Sequence, residues 1–197
     1  MKLQILLLSA VAAPAIAECP AAGDLSGGIR AYTDDGGYED YQSLRDGVVE
    51  INVVYDDGYT GRMLLAQGTY ILDAVDTENG KPVADTRLTY AYPVNAQDMP
   101  IPQADARWSG RINLRDLDGV FQESQSHRWG PVTRATFGAC SYDTIVGKID
   151  YKGDGYSFQE EIQYLPELGI GLLTGYTDAA EGIDDVYTYI SIEKLQN

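Results

Sequence analysis

The chain has 197 residues, with 30 acidic residues against 14 Lys and Arg and one His, which gives a formal net charge of −16 at pH 7. This balance excludes an ordinary nucleic-acid-binding surface and a protein that binds anionic membranes, because both need clustered Lys and Arg. Beyond the N-terminus no stretch is long and apolar enough to span a membrane. The length suits one domain of ordinary size with a real core.

The N-terminus has the features of a secretory signal. Lys2 supplies the positive start, residues 3–13 are the apolar run, and Ala15-Ile16-Ala17 is a small-x-small cleavage site. Glu18 separates Ala17 from Cys19, whereas a lipoprotein anchor would need the cysteine directly after a small residue. We therefore predict cleavage after residue 17 and a soluble mature chain, residues 18–197, that is periplasmic or secreted.

The two cysteines, Cys19 and Cys140, predict a disulfide. An even cysteine count in an exported chain favours pairing, and the chain has no C-x-x-C motif that would indicate a redox site.

The first half of the mature chain predicts short strands separated by turns. We expect a strand at Ile29–Thr33, one or two helical turns at Tyr38–Arg45, and a hairpin around Asp56-Asp57-Gly58 that pairs Ile51 with Met63. Further strands are predicted at Thr69–Val75 and Val83–Tyr92.

A rigid, proline-rich crossing over residues 93–106 leads to the second half. A hairpin is expected to turn near Asp118-Gly119. A second hairpin, with Tyr151 opposite Tyr156, puts apolar side chains on one face and polar ones on the other. The alternating residues 186–193 predict one final strand.

Ten or so short strands and no sustained helical period predict an all-β fold with little helix. The expected architecture is a curved antiparallel sheet, which could be a half-barrel, a barrel or a sandwich. Because each half alone has few strands, we expect residues 18–197 to share one core.

Residues 142–176 resemble the C-terminal part of an uncharacterised family of bacterial cell-envelope β proteins. In that family a strand pair leads into an aromatic-x-Pro-x-Leu-Gly corner and a further strand, which here are Tyr164, Pro166, Leu168 and Gly169. The family is in turn similar to periplasmic half-barrels that shelter an acyl chain, such as lipoprotein carriers. The resemblance implies a curved antiparallel sheet and brings no catalytic residues, and the first half of the chain does not align to the family.

A basic and aromatic cluster between residues 107 and 134 is the candidate binding site. In so acidic a chain, such a window could bind a carboxylate, a phosphate or an acidic partner, or its arginines could pair with acidic residues of the same domain. The cluster comprises Arg107, Trp108, Arg111, Arg115, His127, Arg128, Trp129 and Arg134.

Few residues match a catalytic or metal-binding motif. Residues 150–161 partly match a calcium loop, but Lys152 occupies a position that needs a carboxylate, so no metal site is expected. The single histidine, His127, lies next to Arg128, which disfavours its protonated form. No cofactor is indicated, and catalytic residues remain unknown.

These observations favour a non-catalytic binding or accessory protein of the cell envelope. Its ligand would be an apolar or envelope-derived molecule in the concave side of the sheet, or a protein partner. One alternative is a carbohydrate-directed module or hydrolase that uses tyrosines and two facing carboxylates. Another is a structural or assembly protein with an exposed apolar patch or an unprotected edge strand.

Overall fold

A computed structural model describes residues 18–45 and 47–195, so the predicted signal peptide, residues 1–17, lies outside the described residues. Within those ranges the chain is almost entirely β-structure, and the only helical segments are three short 3₁₀ turns, Ala22–Ser26, Ala84–Thr86 and Ala96–Asp98. In this part of the chain no helix is both long and apolar enough to cross a membrane. The predicted all-β fold with little helix is confirmed.

Fourteen strands follow one another along the described chain. The first seven are β1 (Ile29–Thr33), β2 (Tyr38–Arg45), β3 (Val48–Val54), β4 (Thr60–Ala66), β5 (Tyr70–Glu78), β6 (Lys81–Pro82) and β7 (Leu88–Ala91). The other seven are β8 (Arg107–Arg115), β9 (Val120–Phe137), β10 (Cys140–Lys152), β11 (Ser157–Leu165), β12 (Ile170–Asp178), β13 (Ile183–Val186) and β14 (Tyr189–Lys194).

The strands form one curved, open antiparallel sheet in the order 13-12-11-10-9-8-7-5-4-3-2-1-14, and β6 pairs only with β5. The strands at its two ends, β13 and β14, are consecutive in sequence and are separated only by Tyr187 and Thr188. Residues 186–193, predicted as one strand, are therefore divided between two. Val186 ends β13, which pairs with β12, and β14 begins at Tyr189 and pairs with β1. The amide of Tyr187 donates to the carbonyl of Thr174, at 3.1 Å, and holds this link against β12.

The β3–β4 hairpin has the predicted register. Ile51 lies opposite Met63, and the amide of Tyr55 donates to the carbonyl of Tyr59 across the three-residue loop. Gly58 closes the loop at φ +86°, a left-handed conformation that glycine adopts without steric cost.

The helical turns expected at Tyr38–Arg45 are wrong, because this segment is strand β2. It pairs with β1 on one side and with β3 on the other, so sheet hydrogen bonds outweigh its local helical preference. Glu39 and Tyr41 both point inward and are buried.

The strand expected at Val83–Tyr92 is shortened to β7, because the turn Ala84–Thr86 interrupts it.

The β10–β11 hairpin differs from the predicted register by two residues. Tyr151 lies opposite Phe158, and Tyr156 stays in the turn, where its carbonyl accepts from the amide of Gly153. The hydroxyl of Tyr156 donates to Glu123 on β9 at 2.7 Å, which fixes this side chain outside the ladder. Since a shift of two residues preserves the faces, the predicted apolar face still points inward.

The predicted disulfide between Cys19 and Cys140 is present, with the two Cα atoms 5.5 Å apart. It ties the first described residues to the start of β10, and the hydroxyl of Tyr142 donates to the carbonyl of Pro20 beside it. Cys140 and Tyr142 are buried in the main apolar cluster with side chains from strands near both ends of the sheet, such as Leu172 of β12 and Ile192 of β14. The bridge therefore secures the N-terminal segment to the core.

The proline-rich crossing covers one end of the interior without forming a strand. Met99 is buried there, and the carbonyl of Pro100 accepts from the hydroxyl of Tyr70.

Candidate functional site

The arginines of β8 lie on the outer side of the sheet. Arg107, Arg111 and Arg115 alternate with inward residues such as Ile112, and all three side chains are exposed. The antiparallel register places Arg128 of β9 directly opposite Arg107, so it shares their face. The structure thus brings together four of the five arginines of the predicted cluster.

Strand β10 extends the positive surface. Lys148 lies opposite Arg128, and Lys152 lies opposite Ser124, which itself faces Arg111. We call the six cations on this side of β8, β9 and β10 the outer cationic face; they are Arg107, Arg111, Arg115, Arg128, Lys148 and Lys152.

Two carboxylates pair with this surface. Asp150 forms an ion pair with Arg128, and Glu161 lies 3.6 Å from Lys148. The other four cations form no ion pair within the described residues. The Arg128 guanidinium and the amide of Gln159 together lower the pKa of Asp150 below its usual value, against the opposing effect of burial.

Arg134 does not join the outer cationic face. Between residues 129 and 132, β9 carries an extra residue relative to β10, and this bulge reverses its alternation. Arg134 lies opposite Asp143 and pairs with it at 3.3 Å, an odd number of positions along β10 from Lys148. The bulge thus separates Arg134 from the outer cationic face, and this arginine forms an exposed ion pair with Asp143 instead.

The aromatic members of the predicted cluster point inward. His127 and Trp129 are buried, and Trp108 is half-buried against the rings of Tyr70 and His127. Burial lowers the pKa of His127 to about 3, so this imidazole is neutral at physiological pH. The sequence window thus divides into an outer cationic set and an inner aromatic set.

Sequence reasoning missed three glutamates on the inner side of the sheet. Glu39, Glu123 and Glu160, which we call the inner carboxylates, each accept a hydrogen bond from a tyrosine hydroxyl and form no ion pair within the described residues. Each occupies an inward position of its strand. Glu160 lies on the same face as the apolar Phe158 and Ile162, which are two residues before and after it. An acidic residue in phase with an apolar face was the signal that could have revealed them.

Glu39 and Glu123 are nearly inaccessible, with 7% and 2% of their surface exposed. Burial dominates and raises the pKa of the Glu39 carboxyl group, while the hydroxyl of Tyr41, which donates to it, and that of Tyr189 act in the opposite direction. Glu123 accepts from the Gln125 amide through one oxygen and from Tyr156 through the other.

Glu160 is half-buried, and burial raises its pKa to about 7, with a smaller contribution from nearby Glu123. The hydrogen bond from Tyr151, 2.7 Å long, acts in the opposite direction. A carboxyl group with such a pKa changes its charge near neutral pH.

Glu39 and Glu160 line one interior cavity of about 60 Å³, between the first strands and β11–β12. Its walls are mostly apolar and include Ile51, Leu65 and Ile162. The amide of Gly171 donates to the carbonyl of Gly68 and joins the two sides of the cavity.

Within the described residues no group of three or more His, Cys, Asp or Glu side chains is arranged to hold a metal ion.

Comparison with known proteins identifies no family for this chain: no protein-family model matches it, and neither does any curated protein. A solved structure, the hypothetical lipoprotein YmcC from Escherichia coli (K12), aligns with 85% of this chain and 86% of its own at 8% sequence identity and a TM-score of 0.46. That protein is described as a hypothetical lipoprotein, and the expected membership of the uncharacterised envelope family is not shown. At this level of similarity no site or activity is transferred.

Proposed function

We propose that this protein is a non-catalytic accessory protein of the bacterial cell envelope that binds an acidic protein partner on its outer cationic face. The periplasm is the proposed compartment. The disulfide supports an oxidising location, because such bonds persist outside the cytosol.

The arrangement of the outer cationic face is the observation that carries this proposal. Arg107, Arg128 and Lys148 lie side by side on three neighbouring strands, which are about 4.8 Å apart. Arg111 follows Arg107 four residues along β8, or roughly 13 Å. The cations are thus spread over a surface that extends both along and across the strands, as contact with a folded partner requires. A single small anion would contact only one or two of them.

Charge complementarity identifies the partner's chemistry. Six cations less the two carboxylates Asp150 and Glu161 leave four positive charges on this face, in a chain whose formal net charge is −16. The rest of the chain would repel an acidic protein, so approach is favoured through this face alone. Serines 109, 124 and 126 lie between the charges and supply hydroxyl groups for hydrogen bonds.

The interior supports a protein partner better than an acyl-chain cargo. Its cavity of about 60 Å³ is far below the roughly 300–1,000 Å³ of typical ligand pockets. The same volume argues against the hydrolase alternative, although Glu39 and Glu160 do share this cavity. The assembly alternative receives little support from edge strand β13, since Asp184 and Asp185 place charges on its four residues.

Photocrosslinking tests the proposal. A photoreactive residue at Ser109, in the middle of the outer cationic face, should capture an acidic envelope protein in living cells, whereas one at exposed Asn52 on β3 should not. Replacing Arg107, Arg111 and Arg115 by glutamate should abolish the adduct, while lysine at the same positions should retain much of it.

Two results would contradict the proposed function. One is equal capture at Ser109 and Asn52, and the other is an adduct whose yield is unchanged by the three charge reversals. Thermal unfolding of each variant checks that the fold is intact, which is expected because these side chains are exposed.

A further inference from the structure

The interior cavity has an unusual combination of shape and charge. Its volume of about 60 Å³ has room for roughly four to six water molecules, at about 10–15 Å³ for each water. A small organic molecule of about five non-hydrogen atoms would occupy the same space. Most of the wall is apolar, so water would be poorly held there.

Two carboxyl groups interrupt this apolar wall without a positive partner. Within the described residues, Glu39 and Glu160 accept hydrogen bonds only from tyrosine hydroxyls. An uncompensated carboxylate in an apolar site is costly to ionise, so it binds a proton or requires a cation. The outer cationic face cannot supply that cation, since its side chains point away from the interior.

We propose that this cavity binds a small organic cation, namely a primary ammonium group attached to a short aliphatic chain. The ammonium group would contact the carboxylate of Glu160, which has one oxygen outside its bond to Tyr151, and would lie within the field of Glu39. The aliphatic chain would pack against Ile51 and Ile162. This site is independent of the outer cationic face.

Proton exchange gives the proposal a distinctive signature. The pKa of Glu160 is raised to about 7, so at pH 5.5 the site is mostly protonated and already neutral. A cation must displace that proton, and at pH 8.5 the carboxylate is available without this competition. Affinity should therefore be roughly 10- to 30-fold higher at pH 8.5 than at pH 5.5.

Titration calorimetry with n-butylammonium chloride, compared with n-butanol of nearly the same size, tests the site. We expect the ammonium compound to bind at least tenfold more tightly at pH 8.5 and to lose this advantage at pH 5.5. Glu160→Gln should remove the preference for the cation. Glu161→Gln is the matched control, because Glu161 is the next residue and faces outward to Lys148.

Methyl NMR of the wild-type protein provides a test that needs no variant. Butylammonium should shift the signals of Ile51, Ile162 and Leu173 and leave those of exposed Val132 unchanged. Equal affinity for butanol and butylammonium, no binding of either, or a cation preference that survives Glu160→Gln would each overturn the proposal. The triple charge reversal on β8 should leave this binding unchanged, so the site and the proposed partner surface succeed or fail separately.

Discussion

The hydroxyl of Tyr151 donates a 2.7 Å hydrogen bond to the carboxyl group of Glu160, diagonally across the β10–β11 pair on the inner side of the sheet. Burial alone would raise the pKa of Glu160 further, and this bond opposes the rise. The pair thus keeps an interior carboxyl group close to its midpoint of ionisation at neutral pH.

The pH dependence of stability should reveal Glu160. Its pKa is about 7 in the folded protein and about 4.5 in the unfolded chain, so the folded state binds the proton more tightly. This contribution is complete below pH 4.5 and is lost as pH rises through 7. Relative to Glu160→Gln, the wild type should lose roughly 1–3 kcal/mol of unfolding free energy between pH 4.5 and 8.

That difference is best measured by urea unfolding at several pH values. The comparison with the variant is necessary because His127, whose pKa is lowered to about 3, destabilises the folded protein as pH falls below 6.5. If the unfolding free energies of the wild type and Glu160→Gln changed with pH by the same amount, the raised pKa of Glu160 would be contradicted. Glu161→Gln should follow the wild type.

The bond from Tyr156 to the buried carboxyl group of Glu123 should matter more than an equivalent bond at the surface. Tyr156→Phe leaves one oxygen of a buried carboxyl group without a donor, so we expect a loss of about 1–3 kcal/mol in unfolding free energy. Tyr32→Phe removes an exposed bond of the same type to Glu193 and should cost less than about 0.5 kcal/mol. Similar losses for the two variants would show that Glu123 exchanges its partner for water.

Gly68 is predicted to tolerate no side chain. It has φ +70°, and an added Cβ would lie 2.2 Å from the carbonyl oxygen of Gly169. Gly68→Ala should therefore lower the unfolding free energy by more than about 2 kcal/mol. Gly58→Ala has a similar φ of +86° but open space around the Cβ, so it should cost only about 1 kcal/mol. Thermal unfolding of the two variants separates the steric clash from the backbone strain.

The disulfide should make a large contribution to stability. Cys19 and Cys140 are 121 residues apart, and closing so long a loop restricts the unfolded chain by about 5 kcal/mol in the chain-entropy model. The double variant Cys19→Ser/Cys140→Ser should unfold at a much lower urea concentration than the oxidised wild type. Reduced wild-type protein should match the variant, and an unchanged midpoint would contradict the prediction.

Local patterns predicted most of the strands because alternation and turn residues are encoded over a few positions. The β3–β4 register followed from one three-residue loop, and the disulfide followed from cysteine count and compartment. Tyr38–Arg45 could not be assigned in this way, since its strand conformation depends on hydrogen bonds to both neighbours in the finished sheet.

The candidate site was harder to predict for a related reason. A window of sequence groups Arg128 with Trp129, but neighbouring residues of a strand point to opposite sides, so the cations and the indoles separated. Arg134 was displaced by a bulge at Gly130-Pro131, residue types that mark bulges but do not by themselves show how the side chains beyond them are placed. The inner carboxylates come from β2, β9 and β11. β9 and β11 lie on either side of β10, but only the curvature of the whole sheet brings β2 round to face them.

The pairing of β1 with β14 has a consequence for how the protein is made. A chain that emerges with its N-terminus first presents β1 long before its partner, and about 160 residues separate the two strands. Cys19 likewise cannot form its disulfide until Cys140 has been made. The sheet therefore cannot be completed until β14 has been made, which makes folding slow and dependent on long-range contacts.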